Sequence, residues 1–228
     1  MRRIRSLAVA ISLALGLTAC AAPAPEPTVP AGDGPLVAFY GDSYTLGTGL
    51  DDLSQRWSTI LSDERGWREF NPSVNGLGFV NNRSAFGDGS GDLPDLIIAE
   101  RPDIVFVTMG LNDTFSFDRA ADRIRTTIED DLARLRGALP DARIIVVEPF
   151  WYTDERPRAL DTIIDWTRDA AAGVDADWIP GASRWLDGHY AESADSWMAA
   201  DGLHPDTTGY RVMAERMDEA LARLDPPL

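Results

Sequence analysis

Apolar residues fall along this chain in two alternating patterns. Leu36 to Tyr40, Asp103 to Met109 and Ala142 to Glu148 hold nearly unbroken apolar runs, which read as strands buried on both faces. Between them apolar residues recur at helical spacing. Leu53 to Arg65 places Leu53, Trp57, Ile60 and Leu61 on one face, and Ala120 to Leu139 keeps Ile124, Ile128, Leu132 and Leu135 in register. Shorter helices are predicted over Leu93 to Glu100, stopped before Pro102, and over Pro157 to Ala172, and a last one over Thr208 to Leu224. Weaker strands are expected within Glu69 to Val74 and around Trp178 and Ile179. Residues 81–92 are rich in Gly, Asn, Asp and Ser and read as a loop, a lid being one use for it. Strand and helix alternate throughout, which predicts an α/β fold: a parallel sheet covered on both sides, a three-layer α/β/α sandwich.

The first 20 residues stand apart from this pattern. Arg2, Arg3 and Arg5 precede an apolar run from Leu7 to Leu17, which is too short to span a bilayer as a helix and has the layout of an export signal. Leu17-Thr18-Ala19-Cys20 resembles the lipobox of bacterial lipoproteins, which implies that Cys20 carries a lipid. Cys20 is also the single cysteine of the chain, so it can form no internal disulfide. Residues 21–35, rich in Pro, Ala and Gly, read as a tether, and residues 36–228 as one domain. The expected location is the outer face of the cytoplasmic membrane, held by the N-terminal lipid.

Composition narrows the chemistry. The net charge of −16 argues against nucleic acid and against electrostatic adhesion to anionic headgroups. All 21 basic residues are Arg; the absence of Lys removes Schiff-base chemistry, Ser-Lys dyads and any P-loop lysine. One Cys and two His cannot assemble the usual zinc sites, and no EF-hand spacing appears. No cofactor or metal is expected.

Four separated pieces fit one reaction. Gly41-Asp42-Ser43, Asn75-Gly76, Gly110-Leu111-Asn112-Asp113 and Asp201-Gly202-Leu203-His204-Pro205 supply a nucleophile, oxyanion donors, and a base with its orienting acid. Ser43, Gly76 and Asn112 each follow a predicted strand, and ligands of open α/β sheets bind at the carboxyl ends of strands. Ser43 is the expected nucleophile, although serine before a helix also serves as an ordinary N-cap. His204 is the expected base, oriented by Asp201 three residues earlier. The other histidine, His189, lacks the following Pro and helix start. The Ser43 N–H, the Gly76 N–H and the Asn112 side-chain amide are the expected oxyanion donors, with Gly78 a near competitor of Gly76. Asp42 would steady the turn and has no catalytic role in this reading. Trp151, Tyr152, Trp185 and Trp197 are candidates for a substrate pocket, with packing the commoner fate of such residues.

These pieces resemble the blocks of the SGNH hydrolases, also called GDSL-type esterases and lipases, over Phe39 to Tyr210. The resemblance implies a flavodoxin-like sandwich, with Ser43 as nucleophile, Gly76 and Asn112 in the oxyanion hole, and Asp201 and His204 completing the triad. Two departures stand out: Tyr44 replaces the Leu of the named pattern, and Asn75-Gly76-Leu77-Gly78-Phe79 differs from the commoner second block. The expected function is hydrolysis of carboxylic esters of lipids, glycans or small alcohols through an acyl-enzyme. A glycan-binding lipoprotein without turnover, or an acyltransferase using the same residues, are the alternatives; protein partners are not legible.

Overall fold

A computed structural model describes residues 28–86 and 92–228. The expected export segment, Cys20 and residues 21–27 of the expected tether lie outside the described residues, as does part of the loop at 81–92. Of the tether that is described, Val29 packs against the domain, and the Gly34 carbonyl accepts a hydrogen bond from Arg68 at 2.8 Å. Among the described residues no helix is long and apolar enough to cross a membrane.

Five parallel strands form one sheet: β1 (Leu36–Gly41), β2 (Arg68–Phe70), β3 (Ile104–Thr108), β4 (Arg143–Val147) and β5 (Asp177–Ile179). Their order is β2-β1-β3-β4-β5. The helices are α1 (Ser43–Leu46), α2 (Trp57–Arg65), α3 (Leu93–Glu100), α4 (Phe117–Ala138), α5 (Arg158–Gly173) and α6 (Thr207–Leu221).

Alternation along the strands builds two cores. Val37 and Phe39 of β1, Ile104 and Phe106 of β3, and Ile145 and Val147 of β4 face Trp57 and Leu61 of α2 and Met213, Met217 and Leu221 of α6. Their neighbours Ala38, Tyr40, Val105, Val107, Ile144 and Val146 face Ile97 of α3, Ile124, Ile128, Leu132 and Leu135 of α4, and Ile163 of α5. Because consecutive strand side chains point to opposite faces, a strand buried on both sides must be apolar at every position, as the central runs are.

The second core also holds a charge network. Asp131, buried on α4, accepts from the Tyr40 hydroxyl at 2.6 Å and from Arg83 through both of its terminal nitrogens. Arg83 also donates to the Phe79 carbonyl at 3.0 Å, so the network pins the segment that follows Gly76. The Arg83 guanidinium and the Tyr40 hydroxyl together offset the cost of burying this carboxylate.

Two expectations need correction. The helix predicted over Leu53 to Arg65 is divided: Leu53–Gln55 form a 3-10 turn, Arg56 is extended, and α2 begins at Trp57. Leu53 is 48% exposed and leaves the apolar face that Trp57 and Leu61 keep. Asp52 caps the short turn through Ser54 N–H at 3.0 Å, which competes locally with a continuous helix. The helix predicted from Ala120 starts at Phe117, and Ala120 marks a break in it, with φ −143° and ψ 15°.

Candidate active site

The site forms at a crossover in the strand order. β1 is paired to β2 on one side and to β3 on the other, in register up to Gly41 opposite Thr108. The connections leaving β1 and β3 therefore part to opposite sides and leave a crevice at the carboxyl ends of the strands. Residues 42–43 and 109–113 emerge side by side into it. Gly41 permits this closeness: a Cβ there would lie 2.5 Å from the Thr45 side chain and 2.7 Å from Thr108 Oγ1. The two threonine hydroxyls share a 2.6 Å hydrogen bond.

Asp42 caps α1, accepting the Tyr44 N–H at 2.9 Å, and Ser43 is the first residue of the helix. Gly47, left-handed at φ 93°, ends this single turn. Neither the Ser43 hydroxyl nor its N–H has a hydrogen-bond partner among the described residues. At a helix start such an N–H is free to meet an incoming oxygen.

Asn112 opens a 3-10 turn after β3 and is buried. Its side-chain amide donates to the Leu77 carbonyl at 3.0 Å and to Asp42 Oδ2 at 3.2 Å. The neighbouring Asp113 is fully buried and accepts three consecutive backbone N–H groups, from Phe79 at 2.7 Å, Val80 at 2.9 Å and Asn81 at 3.1 Å. This carboxylate fixes the segment carrying Gly76 against the end of β3. Sequence reasoning missed that contribution of Asp113, since Asn-Asp reads as an ordinary turn.

The geometry separates the two candidate glycines. Gly78 donates its N–H to the Asn81 carbonyl at 2.9 Å, and a Cβ there would lie 2.5 Å from Asp113 Oδ2. The Gly76 N–H has no partner among the described residues, and Gly76 sits at φ 69°, a conformation costly for other residues. Gly78 is thus a packing glycine, and Gly76 keeps a free donor. Asn71 holds the base of the same segment, donating to the Thr45 carbonyl at 2.8 Å.

Asp201 and His204 lie on a tight hairpin before α6. Asp201 Oδ1 accepts the Leu203 and His204 N–H groups at 2.9 and 3.0 Å, while Oδ2 meets His204 Nδ1 at 2.7 Å. The hairpin is closed by Ala199 N–H to the His204 carbonyl at 2.8 Å. It docks on the turn that carries Ser43 through Tyr44, whose hydroxyl donates to the Leu203 carbonyl at 2.6 Å and whose ring centroid lies 5.8 Å from that of His204. Gly49 makes room for it, since a Cβ there would lie 3.2 Å from His204 Cβ. Tyr44, a departure from the family pattern, thus braces the histidine loop. Tyr210 on α6 adds a second brace, donating to the Thr48 carbonyl at 2.8 Å.

His189 is engaged elsewhere. Its ring stacks on Trp197 with centroids 3.3 Å apart, and Nδ1 contacts the Asp195 carbonyl at 2.7 Å. Trp151 and Trp185 are buried in the first core, while Tyr152 and Trp197 are partly buried against it. Among the described residues no group of His, Cys, Asp and Glu has the arrangement to hold a metal ion.

The acids of the site have displaced pKa values of opposite sign. For Asp201, burial pushes the pKa up but is outweighed by the His204 ring and the two backbone donors, and the carboxyl is held at about 2. Asp42 is pushed up to about 7 by burial, with the charge of Asp113 adding to it and the Tyr44 N–H and Asn112 amide opposing. Burial raises Asp113 as well, against its three N–H donors.

Two predictions follow from this geometry. Asp113→Ala strands three backbone N–H groups and loosens the Gly76 segment. It is expected to lower stability by about 2–4 kcal/mol in urea unfolding and kcat/KM for an ester by about 100-fold. Retention of both would show that the segment holds its shape unaided. Asp201 has a folded pKa below its unfolded value of 3.8, so its stabilisation is complete above that value and is lost as pH falls toward about 2. Between about pH 5 and pH 2 the melting temperature of Asp201→Asn should therefore fall less steeply than that of the parent.

The family model for the GDSL-like lipases and acylhydrolases matches residues 39–212, which include every residue of the site. No curated protein matches the chain in sequence. Among solved structures the fold is similar to that of TesA, at 22% identity and a TM-score of 0.65 over 85% of this chain and 99% of that one. It is also similar to the psychrotrophic esterase EstA from Pseudoalteromonas, at 16% identity and a TM-score of 0.64 over 82% and 97% of the two chains. A third similar structure is an acetyl-xylooligosaccharide esterase from Geobacillus, at 17% identity and a TM-score of 0.60 over 83% and 94%. With three quarters of its length matched by the family model, the chain belongs to the GDSL-like lipase/acylhydrolase family and is a carboxylic ester hydrolase.

Proposed function

We propose that the chain hydrolyses esters through an acyl-enzyme on Ser43. The observation that carries this reading is the 2.7 Å contact of Asp201 with His204 Nδ1. It fixes the tautomer in which Nε2 is free to take the serine proton, and Tyr44 holds that imidazole beside the nucleophile turn. Ser43 Oγ attacks the ester carbonyl while His204 accepts its proton. The N–H groups of Ser43 and Gly76 and the Asn112 amide receive the oxyanion. His204 then protonates the leaving alcohol and activates water to release the acid. The ionised Asp201 stabilises the imidazolium at each step, as its depressed pKa allows.

The substrate class rests on context. One similar structure is named as an acetyl-xylooligosaccharide esterase, and another is a family two carbohydrate esterase in complex with cellohexaose. Together with the export signal expected over residues 1–20, this supports acetylated glycans or small lipid esters outside the cytoplasmic membrane as substrates. The lipobox-like Leu17 to Cys20 supports a lipid anchor there.

Hydrolysis of p-nitrophenyl acetate and butyrate by the purified protein tests the chemistry. The parent is expected to turn over, and Ser43→Ala and His204→Ala to lose about 10³-fold or more of kcat. Turnover persisting in Ser43→Ala at the parent rate would sink the mechanism. For the anchor, the full chain expressed in bacteria should partition with membranes and need detergent for release, and Cys20→Ser should not. Equal partition of the two would exclude a lipid at Cys20.

A further inference from the structure

The Asn112 amide has two hydrogens and both are already taken. One goes to the Leu77 carbonyl at 3.0 Å and the other to Asp42 Oδ2 at 3.2 Å. An oxyanion in the proposed hole must therefore displace or share one of these bonds. The Leu77 bond is the shorter, and its acceptor sits in the segment that Asp113 holds rigid. The Asp42 bond is the longer one, and its acceptor is a buried side chain whose other oxygen is fixed by the cap of α1.

We propose that Asp42 is a positioning residue that competes with the oxyanion for the Asn112 amide, so that the hole is fully available only when Asp42 carries a proton. This deepens the reading above and rests on it. An ionised Asp42 opposes catalysis in two ways. It is the stronger acceptor for the amide hydrogen, and its charge lies beside the place where a second negative charge must develop. A protonated Asp42 still caps α1 through its unprotonated oxygen but holds Asn112 more weakly.

The surroundings favour this exchange of a proton. Asp42 is fully buried, and the titratable groups facing it are Asp113 from the turn after β3, Tyr44 on α1 and Tyr210 on α6. None of these is a cation at neutral pH, so nothing among them offsets its charge. Burial and Asp113 bring its titration to about 7, within the working range of a histidine base.

The sign follows directly. A general base acts only in its unprotonated form, which gives an ascending limb with rising pH. Above the Asp42 transition the carboxylate forms and kcat descends. A neutral residue at 42 removes the descending limb alone.

The test is the pH dependence of kcat for p-nitrophenyl acetate hydrolysis by the parent, Asp42→Asn and Asp42→Ser. Asn and Ser both cap helices, so α1 keeps its Tyr44 N–H partner, and circular dichroism checks the fold. The expected parent profile is a bell, falling by about threefold or more from its maximum to pH 9. Both variants are expected to rise to a plateau and hold it. The proposal is overturned if the parent shows no alkaline fall, if the variants fall as the parent does, or if both fold but lose turnover at every pH. Ser43→Ala assayed alongside keeps the two readings apart: its activity reports on the nucleophile, whereas the shape of the profile reports on Asp42.

Discussion

The parallel pairing of β1 with β3, in register to Gly41 opposite Thr108, is the constraint on which the remainder depends. It brings two chain segments 70 residues apart, Asp42 and Asn112, into hydrogen-bond contact. A single larger residue at position 41 would collide with Thr45 and Thr108 and separate them. The glycine that opens the Gly-Asp-Ser sequence is therefore there for packing. It allows the first turn of α1 to sit directly over the end of the neighbouring strand.

Around that junction the protein keeps two buried acids, Asp42 and Asp113. Neither has a basic partner within hydrogen-bonding distance; both are met by N–H groups. This contrasts with the Asp131 network on the same side of the sheet, where Arg83 neutralises the charge. Asp131 is a structural ion pair. Asp42 and Asp113 are instead held by N–H donors alone. Burying them costs stability, and the N–H donors offset part of that cost.

The loop that carries Asp201 and His204 uses one side chain twice. One carboxylate, Asp201, both folds its own turn with Oδ1 and orients the imidazole with Oδ2. Tyr44, Tyr210 and the gap at Gly49 seat the hairpin on the turn that carries Ser43. Positions of histidine and serine are thus coupled through α1 itself, not through a separate scaffold.

The sequence by itself determined the layers and the strand and helix order, and it singled out the residues of the candidate site. Period-two and period-3.6 patterns report burial, and a nucleophile, an acid and a base have few other residue types to choose from. Where the pattern was locally contested, as at Asp52 and Ala120, it misplaced a helix start, because a side-chain cap or a single dihedral decides such boundaries. Only the tertiary structure separated Gly76 from Gly78, because it alone shows that a carbonyl holds the Gly78 N–H and that none among the described residues holds the Gly76 N–H. Only the tertiary structure gave Asp113, Tyr44 and the Asp42–Asn112 contact their meaning, for all three act across 30 to 160 residues of sequence. Spacing along a chain carries no information about which buried acceptor a distant amide will meet; packing of β1 against β3 does.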